Sequence, residues 1–191
     1  MRIVAGDWRG RRLAAVGKGD AGAHLRPTTD RVREALFNML AGGRFGDPFD
    51  GTRVLDLFAG TGALGLEALS RGAATAVFVD DGRVAGKLIR ENIKTLGCAD
   101  RARLIAHNAT RLPAADAPCD LVFLDPPYGK ALGTKALLSA QAGGWIAPGA
   151  LVVWEEQSPQ EAPGGFDPLD TRRYGDTHVT LLRAQEPDAP S

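Results

Sequence analysis

The chain has 191 residues, enough for one domain with a small appendage. Hydrophobic residues make up 44% and charged residues 24%, which excludes a disordered or fibrous chain. Formal net charge is zero, yet residues 1–44 carry nine basic groups against four acids, so a basic segment joined to a mildly acidic body points to a polyanion partner. No apolar run approaches the roughly 18 residues of a membrane span, and the start of the chain lacks the apolar core of a signal peptide. Cys98 and Cys119 do not combine with the three histidines at a zinc-ligand spacing and read as buried thiols of a reducing cytosol.

Residues 1–25 alternate basic, glycine and apolar positions and predict a small β-hairpin turning near Gly6 or Gly10. Pro27-Thr28-Thr29-Asp30 opens a helix, with Thr28 or Thr29 as cap and Asp30 at its positive end. Val32, Leu36, Phe37 and Leu40 supply its apolar face, and Gly42-Gly43 stops it. From residue 52 strands and helices alternate. The predicted strands are Val54–Phe58, Ala76–Val79, Leu121–Leu124 and Leu151–Trp154, with Arg103–Ala106 a weaker one. Helices are predicted over 63–71, 83–96 and about 130–142. Repeated βα units imply an α/β domain with a mostly parallel sheet covered on both faces. Leu169–Tyr174 and Thr177–Arg183 flank Gly175-Asp176 and predict an antiparallel hairpin, followed by a polar tail from Gln185. The expected division is a basic extension over 1–25, a catalytic domain over 26–184 and a flexible tail over 185–191.

Asp56-Leu57-Phe58-Ala59-Gly60-Thr61-Gly62-Ala63-Leu64-Gly65 follows a strand and opens a helix, in the G-x-G-x-x-G pattern of a dinucleotide turn. A carboxylate at Asp56, on the ligand side of the strand end, repels pyrophosphate and attracts an α-ammonium group. S-adenosylmethionine has that ammonium and no phosphate. Asp80 ends the next strand, 20 residues after Gly60, where an acid accepts from a ribose diol. Asp81 either joins it or faces water. Asn108-Ala109, after the third strand, either meets an adenine edge or makes a turn. The expected cofactor-contacting set is Asp56, Phe58, Ala59, Gly60, Thr61, Gly62, Asp80, Asp81, Asn108 and Ala109.

Asp125-Pro126-Pro127-Tyr128 leaves the strand that ends at Leu124. Two prolines stiffen the loop and remove two backbone donors, leaving carbonyl oxygens to accept. Asp125 adds a carboxylate acceptor, and Tyr128 an aromatic face on which an unstacked base gains about 1–3 kcal/mol. Acceptors on both N–H bonds of an exocyclic amine favour its nucleophilic form and stabilise charge developing on nitrogen. A methyl group carried by a sulfonium needs no metal. In an open α/β sheet the strands bearing these two motifs lie side by side at the switch point, so cofactor and amine meet there.

The chain resembles the bacterial RsmD-type methyltransferases, which methylate N2 of guanine 966 in 16S ribosomal RNA. The resemblance rests on Arg2–Gly6 with Gly10–Leu13, on Arg26–Asn38, on Leu55–Ala73, on Asp125–Tyr128 and on Arg173–Thr177. It implies a class I S-adenosylmethionine-dependent fold with a seven-stranded sheet. It also implies Asp56, Gly60 and Gly62 on the methionine part, Asp80 on the ribose and Asn108 near adenine, with S-adenosylhomocysteine as product. Asp125 and Tyr128 would hold the guanine, and Arg26–Asn38 would close over the cofactor. Arg2, Arg9, Arg11, Arg12 and Arg26 would touch RNA. Partner and place would be 16S rRNA of the assembling small subunit and the cytoplasm, with the enzyme a monomer and no membrane involved. Asp80 stands where such enzymes usually carry Glu.

Three other readings compete. A DNA adenine-N6 methyltransferase shares the Asp-Pro-Pro-Tyr chemistry, but the sheet uses most of the chain and leaves little to read a major groove. A catalytically silent RNA-binding module is disfavoured by two intact motifs. A dehydrogenase is disfavoured by Asp56. Fold alone does not separate these, so the decision rests on the site.

Overall fold

The computed structural model describes residues 1–17 and 28–188. Its seven strands are β1 (Arg53–Leu57), β2 (Thr75–Val79), β3 (Ala102–Ile105), β4 (Cys119–Leu124), β5 (Ile146–Glu156), β6 (Phe166–Tyr174) and β7 (Thr177–Ala184). They form one sheet in the order β3-β2-β1-β4-β5-β7-β6. β1 to β5 run parallel, and β7 is antiparallel to both of its neighbours. The four helices are α1 (Asp30–Leu40), α2 (Ala63–Ser70), α3 (Arg83–Leu96) and α4 (Leu132–Ala142). The expected α/β sheet with its C-terminal antiparallel hairpin is therefore present. No helix among the described residues is long and apolar enough to cross a membrane.

Burial on both faces explains why the central strands read as continuous apolar runs. Val54, Leu121 and Phe123 pack with α1, α2 and α3, while Leu55, Leu57, Val122 and Leu124 pack with α4 and the 109–115 segment. Cys98 and Cys119 are buried free thiols. Element ends differ from expectation by a residue or two, except for β6, which starts three residues before Leu169, and β5, which starts five residues before Leu151. Gly149, at φ +74, lies inside it, and the β4–β5 register shifts at its start; a glycine in such a position marks an irregular strand and masks it in the sequence.

The N-terminal segment forms an antiparallel bridge between Arg2 and Arg12, with Ile3 N donating to Arg11 O and Gly10 N to Ile3 O. Both Gly6 and Gly10 take positive φ. Far from standing apart, it buries Ile3 and Leu13 in the core beneath α1 and α2. Glu67 of α2 accepts from the amides of Val4 (2.9 Å) and Ala5 (3.0 Å). Asn92 of α3 exchanges hydrogen bonds with Ala14 and donates to Thr61 O (2.9 Å). Residues 18–25 of the expected extension lie outside the described residues, as do Arg26, Pro27 and the last three residues of the tail.

Helix α1 corrects one expectation. Thr29 caps it, accepting from Val32 N (3.2 Å), and Leu36, Phe37 and Leu40 are buried as expected. Val32 is only half-buried, and the neighbouring Arg33 is wholly buried instead. Its guanidinium donates to Asp30 (2.8 Å) and to Arg2 O, and lies 3.7 Å from the equally buried Glu67. One of the nine basic groups that suggested a polyanion is thus an internal strut.

Candidate active site

Parallel pairing of β1 with β4, Leu57 opposite Leu124, brings the chain out of both strands at adjacent points on the carboxyl edge of the sheet. The amide of Asp125 donates to Leu57 O at 3.4 Å, so the two departing loops begin in contact.

The glycine turn reverses sharply. Phe58, expected as the last strand residue, instead takes φ +56, a left-handed conformation costing a non-glycine residue on the order of 1–3 kcal/mol. The chain then folds back through Ala59 N to Val79 O (3.0 Å) and Gly62 N to Ala59 O (2.7 Å). Gly62, at φ +81, caps α2 without a side chain. Gly65 is required for packing, because a Cβ there would stand 2.5 Å from Phe78 Cε1 and 3.2 Å from Asp56 Oδ2.

Two acids hold this turn. Asp56 is buried, and its Oδ2 accepts from Gly65 N at 3.0 Å. Burial pushes its carboxyl well above the usual range; the Gly65 bond opposes this, and the charges of Asp80 and Glu155 add to it. Asp80 accepts from Gly60 N (3.0 Å) through one oxygen and from Gly82 N (2.8 Å) through the other, tying the glycine turn to the start of α3. Each oxygen keeps a second lone pair for a ligand. Asp81 is exposed. Asn108 is exposed too, and its Oδ1 accepts from both Thr110 N (2.9 Å) and Thr110 Oγ1 (2.8 Å), a turn that leaves only the amide NH₂ for a ligand. Ala109 is buried beneath it.

In the second loop Pro126 is buried, Pro127 exposed, and Asp125 and Tyr128 partly open to solvent. The Asp125 carboxyl is pushed well up, first by burial and then by the charges of Glu155, Asp56 and Glu156. Thr177, at the start of β7, faces the Tyr128 hydroxyl.

Glu155 and Glu156 belong to no sequence motif. They end β5, both buried, beside the loop that starts at Asp125. Glu155 Oε2 accepts from Thr28 Oγ1 (3.0 Å), and Oε1 has no partner among the described residues. Burial pushes Glu155 up to about 7, against the opposing influence of Thr28 and Arg33. Two acids directly after an apolar parallel strand were the available signal, since that position faces the ligand edge.

The donor set fits S-adenosylmethionine. Carboxyl groups from four strand ends converge, and the only charges that act on Asp56 and Asp125 are those of other acids, which suits a cationic ligand and opposes a pyrophosphate. Asp80 stands beside the glycine turn for a diol, and the backbone of residues 58–62 can be approached closely because of its glycines.

The expected RNA-contacting arginines divide. Arg2, Arg9, Arg11 and Arg12 are exposed, and Arg26 lies outside the described residues. Arg11 donates to Thr95 O (2.6 Å) in the last turn of α3, and Trp8 N donates to Ser70 Oγ (3.0 Å) at the end of α2. Both helices start at the carboxyl edge of the sheet, so the hairpin tip hangs over the opposite edge. The 14 residues of α3 place it about 20 Å from the site, at ~1.5 Å per residue.

A family model described as Conserved hypothetical protein 95 matches residues 1–183. The chain belongs to that family. YlbH of Bacillus subtilis is 45% identical over 191 residues, covering 96% of this chain and 98% of that protein. Ribosomal RNA small subunit methyltransferase D of Escherichia coli is 40% identical over 164 residues, covering 85% of this chain and 78% of its own length. Thus the likeness to RsmD-type enzymes extends through most of the family match. The solved structure of yhhF from Escherichia coli superposes with a TM-score of 0.79 at 35% identity, covering 97% of this chain and 98% of that one. An RNA methyltransferase from Salinibacter ruber, crystallised with S-adenosyl-L-homocysteine, shares the fold at a TM-score of 0.65 and 18% identity, covering 87% of this chain and 98% of that one. The family's fold is therefore that of class I methyltransferases.

Proposed function

We propose that this chain transfers the methyl group of S-adenosylmethionine to the exocyclic N2 amine of guanine 966 in 16S ribosomal RNA. The observation that carries the reading is the emergence of Asp125–Tyr128 from β4 directly beside the glycine turn of β1. Membership of a family that includes ribosomal RNA small subunit methyltransferases supports the substrate class.

S-adenosylmethionine supplies a methyl group on a sulfonium, open to attack by a nitrogen lone pair. The chain's residues supply the rest. Asp56 and the backbone of Phe58, Ala59, Gly60, Thr61 and Gly62 surround the methionine part. Asp80 accepts from the ribose, with Asp81 at the rim, while the Asn108 amide and Ala109 border adenine. Asp125 and the Pro126 carbonyl accept the two N–H bonds of the amine, and Pro127 holds the loop rigid. Tyr128 stacks on the guanine once it leaves the RNA stack. As the N–C bond forms, positive charge grows on nitrogen against the Asp125 carboxylate. A proton then leaves the nitrogen toward the carboxylates of that edge, and S-adenosylhomocysteine departs.

Arg2, Arg9, Arg11, Arg12 and Arg26 contribute a basic surface for RNA. Residues 1–25 serve as the RNA-contacting extension of a catalytic domain over 26–184, with 185–191 as its tail. The substrate is the rRNA within the assembling small subunit, so the enzyme works in the cytoplasm, as a monomer.

The test is transfer of labelled methyl to small subunits and to naked 16S RNA from cells lacking the protein, followed by nucleoside mass spectrometry. N2-methylguanosine at one position is the expected product. Label only as N6-methyladenine, or no label on either RNA, overturns the reading.

A further inference from the structure

The hairpin tip with Arg9 and Arg11 lies at the edge of the sheet remote from the target base. The turn between β6 and β7 lies at the active edge. β7 starts beside the end of β5, His178 opposite Glu156, and β6 ends there at Tyr174. A cavity of about 290 Å³ opens at this turn, lined by Tyr128, Gln157, Arg173, Asp176 and His178. One wall is therefore the tyrosine assigned to stack on the guanine.

Arg173 and His178 stand directly across from each other in the β6–β7 ladder. Arg172, which alternates to the other face of β6, and Arg44, packed against the hairpin, are both neutralised by Asp170, at 2.7 and 2.6 Å. Arg173 has no such ion pair among the described residues. It is exposed, and its Nε donates to Gly175 O (2.8 Å), which steadies the guanidinium while leaving its terminal nitrogens to donate elsewhere. The His178 Nδ1 donates to Gln157 O (2.9 Å), which fixes the ring and makes Nε2 the nitrogen that faces a ligand. In that tautomer Nε2 is an acceptor, suited to a ribose hydroxyl. Asp176 is the single carboxylate on the cavity wall.

We propose that this turn is a nucleotide-backbone subsite, in which Arg173 takes the phosphate and His178 the ribose 2′-hydroxyl of a nucleotide flanking the flipped guanine. The inference rests on the function proposed above and extends it to residues of the Arg173–Thr177 block. A base leaves its stack only if the backbone on either side is held in a bent path. A guanidinium fork beside the stacking tyrosine matches a phosphodiester. An acceptor for the 2′-hydroxyl is the feature by which a site tells RNA from DNA.

The experiment measures binding of a 16S RNA transcript, and of the DNA strand of the same sequence, by the full chain and its Arg173→Ala, Arg173→Lys and His178→Ala variants. Salt is varied between about 50 and 200 mM. Arg173→Ala is expected to bind RNA about tenfold more weakly and to lower the slope of log affinity against log salt by about one. Arg173→Lys keeps the slope. His178→Ala narrows the preference for RNA over DNA. Unchanged S-adenosylhomocysteine affinity, read by calorimetry, shows that each variant is folded. Wild-type affinity and slope in Arg173→Ala overturn the subsite, as does failure of the wild-type chain to bind RNA. Methyl transfer by the wild type in parallel separates the two readings. RNA labelling with an unaffected Arg173→Ala removes the subsite alone, and Arg173-dependent binding without labelling removes the function alone.

Discussion

Thr28 Oγ1 donates a 3.0 Å hydrogen bond to Glu155 Oε2, joining residues 127 positions apart. It ties the approach to α1 to the end of β5, beside Asp125. Unfolded glutamate ionises near 4.5, whereas Glu155 is pushed up to about 7 by burial. Between those values the folded chain holds the extra proton, so stability falls as pH rises through that window. Thermal melts of the ligand-free protein are expected to show a melting temperature that drops from pH 5 toward pH 8. Glu155→Gln should lessen that dependence, leaving the part that the pushed-up Asp56 and Asp125 contribute in the same direction. A flat wild-type profile would place the ionised carboxylate in a solvated setting.

Asp125 faces the target amine in the proposed mechanism and binds no part of the cofactor. Asp125→Ala is expected to lower single-turnover methyl transfer by at least about 100-fold, the usual cost of losing a preorganised charge partner. Cofactor affinity by calorimetry should stay within a few-fold. Equal loss of both would move Asp125 out of the catalytic role.

Gly65→Ala forces a methyl group to within 2.5 Å of the Phe78 ring and 3.2 Å of the Asp56 carboxylate. Overpacking of this kind costs about 1–3 kcal/mol. The displaced Asp56 should weaken cofactor binding as well. Denaturant unfolding and calorimetry read the two effects separately, and a fully stable variant with normal affinity would mean that α2 can slide on the sheet.

Glu67 is buried among Arg33, Arg71 and the amides of Val4 and Ala5. Removing one partner of a buried ion pair strands the other charge, at about 3–5 kcal/mol. Glu67→Ala is therefore expected to lower stability by that amount and to speed hydrogen exchange at Val4 and Ala5. Slow exchange at both amides in the variant would show that the core contacts of Ile3 and Leu13 suffice.

Replacing Arg9, Arg11 and Arg12 together by Ala removes exposed charge from the hairpin, whose Arg11 sits some 20 Å from the reacting edge, by the length of α3. KM for RNA should rise and its salt dependence flatten, with kcat retained. An unchanged KM would make that tip purely structural.

Much of this site is legible along the chain because its chemistry is local. Asp56–Gly65 and Asp125–Tyr128 are short runs whose residue types dictate both the turn and the ligand, and parallel βα order brings them together. What the sequence hides depends on distant neighbours. Arg33 reads as a solvated charge because a buried arginine differs from an exposed one only through partners such as Glu67, 34 positions away. Phe58 reads as strand because a left-handed residue is imposed by the turn that follows. Glu155 and Glu156 look like the polar end of an apolar run until β5 is seen beside β4. Asn108 holds its own turn, one of two readings that its position allowed.

The last strand of the sheet is an interior one. β7 lies between β5 and β6, so while the chain is still on the ribosome the outer side of β5 has no partner. An unpaired strand of 11 residues is an open template for pairing with another chain. Glu155 and Glu156 take their places only after residues 177–184 have emerged and inserted. A nascent chain halted before that point carries the glycine turn and the Asp-Pro-Pro-Tyr loop but lacks the strand that supports Tyr128. Premature termination in this region should therefore leave a sticky, inactive product instead of a partly working enzyme.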